Sequence, residues 1–139
     1  MNKYLLIMLI ALIIALIGAI VYISSMNKQP ALKSFGDFAP QVFDQELNAG
    51  GYTLIDVRTI DEFKAGHIVN AKQADFNQQE QFSQFLNTLD KTKKYLIYCR
   101  TGIRSARAMQ EMHDKGFTNI HDLTGGYNAW VSSNLPTEQ

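Results

Sequence analysis

The stretch YLIYCRTGIRS, residues 95–105, holds the clearest structural and chemical signals in the chain. Four apolar residues, Tyr95–Tyr98, are followed by Cys99, by a short loop that contains Gly102, and by a helical pattern over Ser105–Lys115. A thiol placed between a strand and a helix N-terminus meets converging backbone N–H groups and the positive end of the helix dipole, and both favour the thiolate. Cys99 is the only cysteine in the chain. The stretch therefore indicates sulfur chemistry.

Strand and helix patterns alternate on both sides of this stretch. Strands are predicted at residues 38–40, 52–57, 67–71, 95–98 and 119–123, and helices at 40–48, 59–66, 78–89, 105–115 and from Gly125 onward. Such alternation predicts an α/β fold, with a parallel sheet flanked by helices on both faces. Sites in sheets of this kind lie beyond the carboxyl ends of the strands. Cys99 and Asp56 both follow apolar runs and fall at such ends.

The N-terminal region has a different character from the rest of the chain. Residues 4–23 carry no charge and are almost entirely apolar. As a helix they would reach about 30 Å, the thickness of the hydrocarbon core of a lipid bilayer. The run is longer than the apolar core of a signal peptide, and no small-x-small cleavage site follows it, which favours an uncleaved transmembrane helix. The expected organisation is a membrane anchor (1–25), a linker (26–36) and one domain (37–139).

Charges around the apolar run bear on its orientation. Lys3 precedes the run, whereas Lys28 and Lys33 follow it, so the positive-inside bias is nearly balanced. The short Met-Asn-Lys lead resembles a signal anchor and favours a single-pass cell-membrane protein with its catalytic domain on the extracytoplasmic side. A single cysteine cannot form an internal disulfide, so cysteine usage does not indicate the redox compartment.

Composition excludes several classes of function. The 13 basic and 13 acidic residues give a formal net charge of zero, and no basic block with interleaved aromatics occurs. This pattern argues against nucleic acid as a partner. No glycine-rich nucleotide signature is present, and the histidines lack metal-ligand spacing. The sequence therefore predicts neither a metal site nor a cofactor.

Several motifs together resemble the single-domain rhodanese pattern. They occur in order over about residues 38–135 and are Leu54–Arg58, Glu62-Phe63, Gly66–Ile68, Tyr98–Ala106 and Gly125–Trp130. The resemblance implies a rhodanese-like fold and a sulfurtransferase with Cys99 as its catalytic residue. Cys99 would accept sulfane sulfur from a thiosulfate-type anion as a persulfide and pass it to a thiol, to cyanide or to a protein acceptor. One departure is Asn70, where the family more often has glycine in a turn.

The loop after Cys99 is expected to bind the substrate. Its members are Arg100, Thr101, Gly102, Ile103 and Arg104, and their backbone amides would form a cradle for the anion. Arg104 lies at a helix N-terminus, where a cation is disfavoured, so we expect it to bind the anionic donor through its planar guanidinium. Arg100 adds positive charge at the mouth of the loop.

A second group of charged residues lies near the end of the preceding strand. Asp56, Arg58 and Glu62 are expected to form an internal polar network that braces the loop, because paired charges near strand ends are commonly structural. Thr59 and Glu62 also have the spacing of a capping box, with Thr59 as the N-cap. These residues are therefore interpreted as structural support rather than as catalytic groups.

Two other functions fit the same fold. In a phosphatase-like or arsenate-reducing relative, five residues separate the cysteine from its arginine, whereas four separate Cys99 from Arg104. A membrane-tethered binding module without catalysis would be expected to lose the cysteine, which this chain keeps. Transfer of sulfur to a partner protein uses the same persulfide as transfer to a small molecule, so the sequence leaves both open.

Overall fold

The computed structural model of the protein describes residues 2–26 and 35–139, which belong to two separate units. The predicted linker, residues 26–36, falls largely outside the described residues. The predicted division of the chain at residues 25 and 36 therefore stays a prediction.

The first unit is one long apolar helix. Helix α1 spans Lys3–Met26, and its 24 residues give a length of about 36 Å. Within it, Lys3–Ile23 has a mean hydropathy of 3.1 and is long and apolar enough to cross a membrane. A signal sequence near an N-terminus has the same apolar character.

The second unit is built from seven strands and five helices within residues 35–139. In chain order these elements are β1 (Phe35–Phe38), α2 (Pro40–Ala49), β2 (Tyr52–Asp56), α3 (Ile60–Lys64), β3 (His67–Ile68), β4 (Lys72–Gln73), α4 (Gln79–Asn87), β5 (Lys94–Tyr98), α5 (Ile103–Asp114), β6 (Ile120–Leu123), α6 (Gly126–Ser132) and β7 (Thr137–Glu138). Five strands form a parallel sheet in the order β1-β6-β5-β2-β4, and β3 pairs with β7 in a separate antiparallel ribbon. The predicted α/β fold with a parallel sheet is thus confirmed.

Apolar side chains fill both faces of the sheet. One cluster joins Phe82 of α4 and Met112 of α5 to Ile97, and the other joins Phe43 of α2 and Trp130 of α6 to the opposite face. Strand β5 lies at the centre of the sheet, and all its residues after Lys94 are buried. A strand covered on both faces is apolar along its whole length, which explains the continuous apolar run in the sequence.

Several boundaries differ from the sequence-based prediction. The strand predicted at 38–40 lies earlier, at Phe35–Phe38, and the helix predicted at 78–89 is shorter, at Gln79–Asn87. Helix α5 begins at Ile103 rather than Ser105, because Gly102 adopts a positive φ of 98° and ends the loop earlier. The predicted strand at 67–71 is wrong in its second half, where a turn separates β3 from β4. Asn70 occupies that turn with φ 64°, a left-handed conformation that asparagine tolerates better than most residues do.

Candidate active site

Cys99 follows directly after β5, at the carboxyl end of the central strand. Its side chain is 1% exposed and belongs to the apolar cluster beneath α5. The adjacent strand β2 ends at the same edge of the sheet, where the N–H of Val57 donates to the carbonyl of Tyr98 over 3.0 Å. The parallel topology therefore places the thiol and the residues after β2 side by side, as the sheet rule predicts.

The sulfur of Cys99 accepts several hydrogen bonds from the loop and from α5. The N–H of Gly102 lies 3.1 Å from Sγ, and the hydroxyl of Ser105 lies 3.3 Å from it. Burial raises the pKa of the Cys99 thiol, but hydrogen bonds from Ser105 and from the amides of Thr101 and Gly102 outweigh it, so the net pKa is below its ordinary value. The site therefore favours the thiolate, which is the nucleophilic form.

The start of α6 binds the carbonyl groups of the same loop. The N–H of Tyr127 donates to the carbonyl of Cys99 over 2.8 Å, and that of Asn128 donates to the carbonyl of Arg100 over 3.1 Å. Gly126 permits this approach, since a Cβ there would lie 2.5 Å from the carbonyl oxygen of Cys99. With its first carbonyl groups bound by α6, the loop presents N–H groups to the sulfur.

Arg104 is held by a carboxylate. Its two terminal nitrogens each lie 2.7 Å from an oxygen of Glu62, in a bidentate ion pair between α5 and α3. The hydrogen bonds from Arg104 lower the pKa of Glu62 to about 2. Arg104 is expected to bind the anionic donor, but its guanidinium is already paired with Glu62. The positive charge of Arg104 still acts on the Cys99 thiolate.

Glu62 also closes the N-terminus of α3. Thr59 Oγ1 accepts from the N–H of Glu62 over 3.2 Å, and Glu62 Oε2 accepts from the N–H of Thr59 over 3.1 Å. The predicted capping box is thus confirmed. The same carboxylate therefore fixes the first turn of α3 and the first turn of α5, the helix that follows the thiol loop.

Asp56 and Arg58 form a second, fully buried ion pair. Arg58 Nη2 lies 2.6 Å from Asp56 Oδ2 and also donates to the carbonyl of Gly66 over 2.8 Å. The guanidinium carbon of Arg58 lies 4.1 Å from the ring centroid of Tyr127. The three residues expected to form one network thus divide into two groups, because Glu62 contacts Arg104 rather than Arg58.

The mouth of the loop combines exposed charge with an exposed apolar side chain. Arg100 and Thr101 are exposed, and Ile103 is 72% exposed. Arg100 also lines a cleft of about 240 Å3, together with Glu62 and Tyr127. The side chain of Arg100 thus places an exposed positive charge at the mouth of the loop.

Sequence reasoning missed three residues that contact the loop, namely Ser105, Gly126 and Tyr127. It also missed Asp122, a buried carboxyl on β6. The sequence predicts a helix start at Gly125-Gly126 and includes the pair in the rhodanese-like motifs, but two glycines before a helix also indicate a close backbone approach. Nothing in the local pattern around Ser105 distinguishes it from any other polar residue in a first helical turn.

Comparison with known proteins agrees with this arrangement. The sequence profile named "Rhodanese-like domain" matches residues 39–133. The uncharacterized protein YqhL of Bacillus subtilis (strain 168) is 33% identical over 131 residues, which are 93% of this chain and 92% of that protein. Thiosulfate sulfurtransferase 18 of Arabidopsis thaliana is 32% identical over 101 residues, which are 65% of this chain and 74% of that protein.

Solved structures show the same fold. A rhodanese-related protein from Thermoplasma volcanium superposes with a TM-score of 0.65 at 25% identity and covers 75% of this chain and 98% of its own. The sequence profile thus matches the domain, solved structures share its fold, and a cysteine loop follows the central strand. The chain belongs to the rhodanese-like domain family.

Proposed function

We propose that the protein is a sulfurtransferase that carries sulfane sulfur as a persulfide on Cys99. The observation that supports this most is the set of hydrogen bonds to Sγ from the amide of Gly102 and the hydroxyl of Ser105. These donors lower the pKa of the thiol and would bind an anionic terminal sulfur equally well. Relatives named thiosulfate sulfurtransferase suggest the class of donor.

In the first half-reaction the Cys99 thiolate attacks the outer sulfur of thiosulfate. The bond between the two thiosulfate sulfurs breaks, its electron pair leaves with sulfite, and a sulfur–sulfur bond forms at Cys99. One negative charge remains on the protein, now on the terminal sulfur of the persulfide. The loop amides after Cys99 would hold that charge without any change in the protonation of the protein.

In the second half-reaction a thiolate or cyanide attacks the terminal sulfur. The acceptor leaves as a persulfide or as thiocyanate, and the Cys99 thiolate is regenerated. Because Cys99 is buried, with 1% of its surface exposed, the reacting atom of the acceptor has to reach Sγ through the mouth of the loop. A small nucleophile, or one exposed thiol on a protein, would meet this requirement.

The residues of the loop would have different roles in binding the substrate. The amides of Thr101, Gly102 and Ile103 would cradle the transferred sulfur. Arg100, which is exposed at the cleft, would attract the anionic donor. Arg104 would hold the loop in place through Glu62 and contribute its charge to the thiolate.

The residues after β2 would provide structural support rather than chemistry. Asp56 and Arg58 neutralise each other in the interior, and Arg58 also binds the carbonyl of Gly66. Their position beside the end of β5 would keep the loop from shifting when it receives the additional sulfur.

The first helix suggests where the reaction takes place. We propose that α1 remains attached and tethers the domain to the cell membrane as a single-pass anchor, with the catalytic domain on the extracytoplasmic side. The mean hydropathy of 3.1 over Lys3–Ile23 supports the anchor. A topology reporter at the C-terminus tests the side, and the intact mass of the mature chain tests retention. A mature chain that lacks residues 1–25 would identify the segment as a signal sequence instead.

The intact mass of the full chain in detergent, measured after incubation with thiosulfate, tests the chemistry. The parent should gain one sulfur atom that cyanide or a thiol removes, and Cys99→Ala should gain none. Arg100→Gln should gain the sulfur more slowly at low salt, since it lacks the attracting charge. If the parent gains no sulfur from thiosulfate or other sulfane donors, the protein is not a sulfurtransferase and a tethered binding module becomes the better account.

A further inference from the structure

A buried carboxyl lies behind the sulfur site and has no part in the proposed chemistry so far. Asp122, on β6, is 3% exposed, and its Oδ1 has no hydrogen-bond partner among the described residues. An ionised carboxylate in such a place would be costly, because charge is removed from water without full compensation. Burial accordingly raises the pKa of Asp122 to about 7.

Ser105 connects this carboxyl to the thiol. Its hydroxyl lies 3.3 Å from Cys99 Sγ. Asp122 is the register neighbour of Ile97, two residues before Cys99 on the adjacent strand, and the Ser105 hydroxyl is close enough to lower the pKa of the Asp122 carboxyl. Ser105 is itself fully buried, so solvent does not compete for its single proton. A hydroxyl between two acidic groups can donate to one of them while it accepts from the other.

We propose that Asp122 is a positioning residue for Cys99: through the Ser105 hydroxyl, its carboxyl holds the proton that Cys99 gives up on becoming a thiolate. The S–H bond of Cys99 breaks as its proton moves to Ser105 Oγ, and the Ser105 O–H proton moves to the Asp122 carboxylate. No electrons are exchanged, and the three side chains carry one negative charge before and after the step.

The surroundings of Asp122 favour a single shared charge. Asp37 is the register neighbour of Asp122 on the adjacent parallel strand β1, and its carboxylate further raises the pKa of Asp122. Cys99, after β5, is the acidic group on the other side, and α5 contributes the neutral hydroxyl of Ser105. A second negative charge at the thiol or the carboxyl would be repelled by the first, which keeps a proton on one of the two.

This role of Asp122 rests on the proposed function. When the Asp122 carboxyl holds the proton, Cys99 is a thiolate ready for attack near neutral pH. The role of Asp122 also leads to a prediction that does not depend on sulfur transfer. Two groups that share one proton titrate in two steps, separated by more than about one pH unit when the coupling is strong. A thiol beside a group that cannot ionise titrates in one step.

Alkylation of the full chain by iodoacetamide tests the inference, since Cys99 is the only cysteine. The rate against pH should rise in two steps for the parent and in one step for Asp122→Asn, which keeps the shape of the side chain. Asp37→Asn serves as the matched control and should keep two steps, with the step near pH 7 shifted to lower pH. Ser105→Ala should slow alkylation at pH 7 about tenfold, because the thiolate loses a donor.

The outcomes separate the two proposals. A profile of Asp122→Asn that superposes on the parent, with unfolding curves also unchanged, would overturn the role of Asp122 while leaving sulfur transfer intact. If Asp122→Asn does not fold, an infrared carbonyl band of protonated carboxyl in the parent provides the second measurement. That band should change when Cys99 is alkylated, and a band that stays constant would overturn the inference. Failure of the sulfurtransferase proposal would instead appear as no sulfur gain from any donor.

Discussion

The ion pair between Glu62 and Arg104 can be tested by one nearly isosteric change. Glu62→Gln removes the carboxylate charge but keeps an oxygen that can accept from the N–H of Thr59, as glutamine does in other capping boxes. The first turn of α3 should therefore persist. What is lost is the bidentate contact that holds the first turn of α5, with N–O distances of 2.7 Å.

The size of the effect follows from the pKa of Glu62. Its lowering from 4.5 to about 2 corresponds to about 3 kcal/mol of preference for the ionised form in the folded state. The two side chains are 26% and 22% exposed, so solvent screens part of this energy. We therefore expect Glu62→Gln to lower the free energy of unfolding at pH 7 by about 1–2 kcal/mol.

The pH dependence has a definite sign. A carboxylate whose pKa is lowered in the folded state stabilises the protein above its unfolded pKa of 4.5, and this contribution disappears as the pH falls through about 2. The difference between parent and Glu62→Gln should thus be full at pH 7 and shrink steadily between pH 4.5 and pH 2. Glu80→Gln, at an exposed residue in the first turn of α4, also removes one carboxylate charge but no ion pair among the described residues, and should lower the free energy of unfolding at pH 7 by less than Glu62→Gln does.

Urea unfolding of the full chain in non-ionic detergent measures this difference. The fluorescence of Trp130, the single and fully buried tryptophan, reports the unfolding of the domain. Equal stability of parent and variant at pH 7 would refute the account of this ion pair. A difference that stays constant down to pH 2 would show that the effect does not come from the charge of Glu62.

Two further changes address the packing around the loop. Gly126→Ala should reduce sulfur transfer at least tenfold, because the new Cβ would lie 2.5 Å from the carbonyl oxygen of Cys99 and displace the loop. The rate of thiocyanate formation at steady state measures this effect. Gly50→Ala is the control, since Gly50 also has a positive φ but a Cβ there would have open space. Tyr98→Phe should lower the free energy of unfolding by about 1–3 kcal/mol, because it leaves the N–H of Ile68 without its acceptor, the Tyr98 hydroxyl at 3.0 Å. Urea unfolding measures this change, and an unchanged midpoint would contradict a stabilising role for that hydrogen bond.

The central strand and the thiol could be predicted from the sequence for a physical reason. A strand covered on both faces has no polar positions, so Tyr95–Tyr98 is recognisable without any partner. Gly102 ends the loop, and the helical period after it is clear. The position of Cys99 at the end of β5 follows from these local features together with the rule for parallel sheets.

The partners of the charged residues could not be predicted in the same way. Glu62 and Arg104 are 42 residues apart along the chain and meet only because β2 and β5 are neighbours in the sheet. The sequence predicts a structural role for Glu62, but it suggests Arg58 as the network partner because that residue is closer in sequence. Tertiary contacts of this kind are invisible to local patterns.

Asp122 and β7 were missed for related reasons. Every residue of β6 is buried, so the strand lacks the alternation that would single out an acidic side chain facing α5. Strand β7 has two residues, too few for any period, and it forms only by pairing with β3.

One labelling experiment tests the central claim most directly. Thiosulfate is prepared with heavy sulfur either at the outer or at the sulfonate position, and the full chain is incubated with it, separated from it and treated with cyanide. The account predicts that outer-position label appears first as one additional sulfur on the protein and then in thiocyanate, whereas sulfonate label leaves as sulfite. Cys99→Ser should show neither transfer. Label that never appears on the parent protein, or that appears equally on Cys99→Ser, would contradict a persulfide at Cys99.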